Sequence, residues 1–310
     1  MLRLDIPPGP AVAAVEDGRA DVLLSPPPAA VPALATRYPS QLHPGPLGAT
    51  IGLVLNTRVW PFNILAARQA LNYAIDRNRL IDLLGGPLTA QPTCQVLPPG
   101  LPGYQPYCPY TLNPSPGGMW TAPNLAQAEH LVSASGTRGA KVTVVSGAFG
   151  TTIRDHATGR YLVTVLDQLG YRASLQVITD WRAYDQRLYD SRRRTQVGWF
   201  SWYQDYPAPA DFISPLLTCH SFLPGNPGNL NAAEFCNRRI DAQVAHALGL
   251  QAHNPSTTAA QWARIDHQIV NQAPWVPIYN PRSLVLLSVR VRNYQFDPYW
   301  SVLIDQLWVR

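Results

Sequence analysis

Five aromatic side chains, Trp199, Phe200, Trp202, Tyr203 and Tyr206, crowd around a single carboxylate, Asp205, in the segment WFSWYQDY. A carboxylate between aromatic walls holds an ammonium group through a charge-assisted hydrogen bond, and the ring faces add a cation–π attraction. The same residue types also suit a core aromatic cluster in which Asp205 caps the following turn, and the residues alone leave both readings open. Spacings that would support catalysis are missing, for the sequence contains no GxGxxG, Walker A, HExxH or GxSxG motif. Ser146 precedes Gly147 but lacks the earlier glycine of a nucleophile turn, and His246 and His253 stand seven apart, not at the i, i+4 spacing of a helical metal pair. Asp266 and His267, being adjacent, point to different sides of a helix. The expectation is a binding protein and not an enzyme, with no metal and no cofactor. Asp205, Trp202, Tyr203, Trp199 and Tyr206 are its candidate ligand contacts.

These residues end a predicted strand, TQVGWFSWY (195–203), and the C-terminal end of a parallel strand is where α/β proteins open a ligand crevice. KVTVVSG (141–147) and YRASLQVIT (171–179) read as two earlier strands. A helix through Tyr161, Leu162, Val165, Leu166 and Leu169 separates them, and a short helix around Tyr184 to Leu188 follows. This alternation predicts right-handed crossovers and a mainly parallel sheet, which an antiparallel hairpin between consecutive strands would refute. Upstream, residues 11–24 suggest a helix and a VLL strand, ATIGLVLNT (49–57) a second strand, and Leu71, Ala74, Ile75, Ile81 and Leu84 recur at helical spacing before Gly85 and Gly86. Residues 91–123 have no sustained period and read as an ordered excursion, after which Asn124 caps LAQAEHLVSAS. Two amphipathic helices, about 238–250 and 256–272, precede the strand-like VPIYN and SLVLLSVRV.

Hydrophobic residues make up 46% of the 310 and charged residues 14%, which suits a packed core and excludes a disordered tail. No run approaches the ~20 apolar residues of a membrane span. The net charge of +5 is scattered. Arg192, Arg193 and Arg194 form its one cluster, beside Asp190 and without interleaved aromatics, so a nucleic-acid partner is not expected. Four cysteines permit three connectivities, but Cys94 with Cys108 and Cys219 with Cys236 each bracket a turn-rich loop. Bridges closing such loops would add on the order of 3 kcal/mol and favour an oxidising compartment. The first residues lack the charged and apolar regions of an export signal, so either the protein is cytosolic or the chain begins inside a longer one.

Four segments in this order resemble the dipeptide/oligopeptide-binding family of ABC-importer solute-binding proteins (family 5). LNTRVWPFNILAARQALNYAIDR (55–77) resembles its strand, Pro-Phe turn and R-x-A-L-x-x-A-I-D-R helix, here Arg68, Ala70, Leu71, Ala74, Ile75, Asp76 and Arg77. LPPGLPGY (97–104), WYQDYPAPADF (202–212) and APWVPIYN (273–280) resemble its P-P-x-x-P-G-Y loop, W-x-x-D-Y-P-x-P signature and A-P-x-x-P-L element. The resemblance implies a class II periplasmic-binding-protein-like α/β fold, bilobed and closing over an extended ligand without chemistry on it. Its lobe-crossing strands correspond to about 51–57 and 276–280. Residues 57–277 then form the second α/β lobe, and 1–56 with 278–310 form a partial, discontinuous first lobe, incomplete because the family carries well over a hundred residues before the part resembling 11–24. The implied function is capture of peptides or similar small ligands outside the cytoplasm for ABC importer permease subunits, with Asp205 as partner of the ligand's α-ammonium. A ligand-sensing or accessory regulatory module using the same lobe is the alternative.

Overall fold

The computed structural model describes residues 7–147, 154–253 and 257–310. Helix α1 (Pro8–Glu16) leads through β1 (Val22–Leu24), α2 (Val31–Arg37) and β2 (Leu42–Pro46) to β3 (Ala49–Leu55), which is buried along its whole length. Then come α3 (Leu65–Ala74), α4 (Arg77–Asp82) and β4 (Ala90–Pro92), and an irregular stretch before α5 (Leu125–Ala134). The Asn124 side chain caps α5, accepting from the Gln127 amide at 3.0 Å. Strands and helices alternate through β5 (Lys141–Gly147), α6 (Arg154–Gln168), β6 (Arg172–Ile178), α7 (Trp181–Tyr189) and β7 (Val197–Tyr203). Helices α8 (Pro209–Ile213), α9 (Arg238–His253) and α10 (Ala259–Gln272) precede the long β8 (Trp275–Leu287). Four short strands, β9 (Val291–Arg292), β10 (Phe296–Asp297), β11 (Ser301–Val302) and β12 (Trp308–Val309), finish the chain.

The main sheet runs β1-β8-β3-β7-β5-β6, with β2 and β4 also paired to β8. As the alternation predicts, β5 is parallel to β6 along its length and parallel to β7 on its other side, with no hairpin among the three. The sheet as a whole is mixed: β3 is antiparallel to β7 and β8, and β8 takes β1, β2 and β4 antiparallel as well. The parallel character therefore belongs to the β5–β7 unit. Crossover rules constrain strands joined consecutively through helices, whereas β3 and β8 arrive from distant parts of the chain and are free to take the antiparallel ladder.

Two sequence expectations change. The helical spacing across 71–84 is broken into α3 and α4, because Ile75 and Asp76 are extended and the Asp76 carboxylate caps the second helix, accepting from the Arg79 amide at 3.1 Å. VPIYN and the SLVLL part of SLVLLSVRV form one strand, β8, which ends at Leu287, and Val291 begins β9. In β8, Pro281 ends the β4 register just where Arg282 begins the β2 register, so the missing amide falls where the strand changes partners.

Alternate residues of the central strands feed two cores. Ile51, Leu53 and Leu55 of β3 pack with Leu71, Val132 and Leu166, while Val54, Val145 and Phe200 pack with Phe212, Ile240 and Trp262. Leu284 and Leu286 join a third cluster with Val15 and Leu34 of the N-terminal elements. The Cys94–Cys108 and Cys219–Cys236 disulfides are both present, with Cα separations of 5.1 and 4.2 Å, inside the ~7 Å that a bridge can span.

Strands β3 and β8 approach so closely at Gly52 that a Cβ there would lie 2.2 Å from the Val276 carbonyl oxygen. Gly52→Ala is expected to force the strands apart at a cost of about 1–3 kcal/mol and lower Tm accordingly; an unchanged melting curve would show that the contact can relax freely.

Asp266 of α10 is fully buried and accepts from Gln95 Nε2 at 2.8 Å and the Val96 amide at 3.2 Å, while its neighbour His267 faces outward and stacks on Tyr107. Burial pushes the Asp266 carboxyl up to about 7, against the opposing pull of these donors. The unfolded chain releases that proton near pH ~4, so between the two values the native state binds the extra proton and stability falls as pH rises, levelling off above about 7. Burial also raises Asp185, Asp211, Glu234 and Asp241 in the same direction. Tm is therefore expected to be higher at pH 5 than at pH 8, with a smaller difference in Asp266→Asn; an equal difference in the variant would remove Asp266 as the source.

Candidate functional site

The end of β7 projects Trp199, Ser201 and Tyr203 to one side, as alternation requires. Ile51 of β3 stands opposite Ser201 on one flank and Tyr279 of β8 on the other. Ser146 and Gly147 finish the parallel neighbour β5. Helix α7 begins at Asp180, whose carboxylate caps it by accepting from the Ala183 amide at 2.8 Å. It turns Trp181, Tyr184, Asp185, Leu188 and Tyr189 inward, the i, i+3, i+4, i+7, i+8 positions of one helix face. The Tyr184 hydroxyl donates to the Trp199 carbonyl and fixes the helix to the strand. Together these residues bound a cleft of about 410 Å³ at the C-terminal ends of β5 and β7.

The five predicted contacts separate into three environments. Trp199 and Tyr203 line the cleft. Trp202 packs on the second core, and its indole N–H donates to Asp211 Oδ2 at 3.2 Å. Asp205 and Tyr206 occupy the exposed loop just beyond the strand. That loop is held by its backbone: the Gln204 amide donates to the Gly48 carbonyl at 2.7 Å, the Asp205 amide to Asp211 Oδ2 at 3.0 Å, and the Tyr299 hydroxyl to the Asp205 carbonyl.

The capping role that the sequence leaves open for Asp205 is filled by Asp211, which is 2% exposed in the first turn of α8. Burial raises the Asp211 carboxyl, and its two N–H donors draw it back down. Asp211 is missed by reasoning from the aromatic cluster, although an acid two residues after Pro209 at a helix start is a readable signal. Asp185 is missed as well; its signal is a carboxylate interrupting the apolar face of α7. Among the described residues no group of three His, Cys, Asp or Glu is placed to hold a metal, and no helix is long and apolar enough to cross a membrane. The His253 side chain lies outside the described residues.

Asp211→Ala leaves the Trp202 indole and the Asp205 amide without their acceptor, so a loss of about 1–3 kcal/mol is expected, with faster hydrogen exchange at the Asp205 amide. Unchanged exchange there would show that the loop is held by other contacts.

Residues 6–222 match the family model described as "Bacterial extracellular solute-binding proteins, family 5 Middle". The chain is 25% identical over 269 residues to heme-binding protein A of Haemophilus influenzae, covering 82% of this chain and 44% of that protein. It is 23% identical over 285 residues to a probable di/tripeptide-binding protein 5 of Pseudomonas aeruginosa, covering 91% and 50%. The structure of HbpA2 from Haemophilus parasuis superposes with a TM-score of 0.81 at 18% identity, covering 98% of this chain and 56% of that one. The chain thus spans about half the length of the curated relatives it matches.

Proposed function

The chain belongs to the bacterial extracellular solute-binding proteins, family 5, and from that premise we propose that it captures peptides for an ABC importer, binding them without chemical change and presenting them to the permease subunits. The di/tripeptide-, glutathione- and murein peptide-binding names among its relatives support a peptide ligand. Two disulfides suit work outside the cytoplasm. In this reading residues 57–277 are the α/β lobe of a clamp, and 1–56 with 278–310 belong to the facing lobe. Strand β8 pairs with β3 and β4 up to Pro281 and with β1 and β2 from Arg282 on, which supports two lobes sharing this strand; β3, although within 1–56, is laid between β8 and β7 as a crossing strand.

The observation that carries the proposal is the state of Asp205. Its side chain is exposed two residues beyond Tyr203, the last residue of β7 to line the cleft, and the structural work of the turn is done by Asp211 instead. A free carboxylate at a rigidly held position is suited to the α-ammonium of a peptide, and contact with the ligand would desolvate the pair and strengthen it.

Asp205→Asn is expected to weaken peptide binding by about 2–5 kcal/mol while leaving Tm nearly unchanged. Calorimetric titration with a tripeptide and its N-acetylated form checks the role. Equal binding of the two forms by the wild type, or undiminished binding by Asp205→Asn, would refute the ammonium contact.

A further inference from the structure

The cleft between α7 and the strand ends contains one charged side chain among its described lining residues, Asp185. Trp181, Tyr184, Tyr189, Trp199, Tyr203 and Tyr279 are among the remaining wall residues. None of the ion pairs among the described residues involves Asp185. The side chain is half-buried, and burial pushes its carboxyl up. Tyr189 beside it is held in its neutral form by burial first and by the Asp185 charge second. Among the described residues the environment is therefore neutral rings and the hydroxyls of Ser146, Thr158 and Ser201 around one carboxylate with no ion-pair partner.

That arrangement discriminates by charge. A cation entering the cleft meets the carboxylate and the negative faces of the rings, both attractive in a partly desolvated site. A neutral aliphatic group would cover the carboxylate without satisfying it, and an anion would be repelled. Among the described residues no histidine or further acid joins this carboxylate, so the lining favours an organic cation over a metal ion. The Trp199 and Tyr279 rings, with centroids 6.5 Å apart and planes inclined at 44°, offer two differently oriented faces to such a group.

We propose that this cleft is a specificity pocket for a positively charged ligand side chain, a lysine-like ammonium or an arginine-like guanidinium, with Asp185 as its counter-charge. The proposal rests on the peptide-binding reading for the class of ligand, but it concerns a different charge from the α-ammonium assigned to Asp205. Peptides carrying a basic side chain at the position that reaches α7 are then favoured over those carrying an aliphatic or acidic one.

The test uses blocked amino acids, which have no α-ammonium and do not depend on the Asp205 assignment. The whole 310-residue chain is titrated with Nα-acetyl-lysine amide and Nα-acetyl-norleucine amide, with binding followed by NMR line broadening of the ligand. The lysine compound is expected to bind the wild type about tenfold more tightly than the norleucine compound, and Asp185→Asn is expected to bring the two within about twofold. Circular dichroism of the variant checks its folding, and the wild-type preference stands as a test even if the variant does not fold. Equal binding of the two compounds by the wild type, binding of neither, or a lysine preference that survives in folded Asp185→Asn overturns the proposal. Equal binding of free and acetylated tripeptides, by contrast, overturns the Asp205 contact alone.

Discussion

The guanidinium of Arg77 is the point on which the central architecture depends. It is fully buried at the start of α4, and its Nε donates to the Thr93 carbonyl at 2.8 Å and the Pro277 carbonyl at 3.0 Å while Nη1 reaches the Asn72 carbonyl at 3.3 Å. The Trp120 ring lies 5.8 Å away. Burial draws the guanidinium down to about 9, and nearby Tyr161 and Asp76 pull it back upward. A buried charge is costly unless its surroundings replace water, and here backbone carbonyls from three parts of the chain do so for Nε and Nη1, while Nη2 is buried without a hydrogen-bond partner among the described residues. Because those carbonyls come from α3, from the strand end after β4 and from near the start of β8, the hydrogen bonds of one side chain fix the relative positions of all three.

The same device recurs around it. Arg68 donates from Nε and Nη2 to the Gln272 carbonyl and from Nη1 to the Phe62 carbonyl, anchoring the entry to β8 against α3. Asn280 reaches Ala49 and Thr50, and Thr50 in turn reaches the Val96 carbonyl. These bonds satisfy irregular backbone that no regular ladder serves, which buried loops require. Within two of the segments that resemble the family, 55–77 and 273–280, Arg68, Arg77 and Asn280 are the side chains that hold this backbone.

Three aspartates divide the work at the site, although all lie within 27 residues of one another in sequence. Asp211 is enclosed and builds the turn, Asp205 is exposed on that turn, and Asp185 faces the cleft from a helix. Rigid support of the loop by Asp211, Gly48 and Tyr299 keeps a carboxylate in place without occupying it. Such pre-organisation reduces the ordering cost of binding.

Local periodicity determined much of the fold. The β5–α6–β6–α7–β7 unit, the Asn124 cap and the two cysteine loops were readable because each depends on neighbours in sequence, through alternation, helical spacing, capping or short-loop closure. The break at Ile75–Asp76 and the continuity of β8 through Pro281 were decided by tertiary contacts, since an aspartate can cap or continue a helix and a proline can end a strand or sit where partners change. The site divides in the same way. The aromatic run around Asp205 was visible as composition, but the two faces of β7 send Trp199 and Tyr203 into the cleft and Trp202 into the core. Which of two nearby aspartates is buried and which stays exposed depends on the approach of α8 to the strand end, a distance that no local pattern encodes.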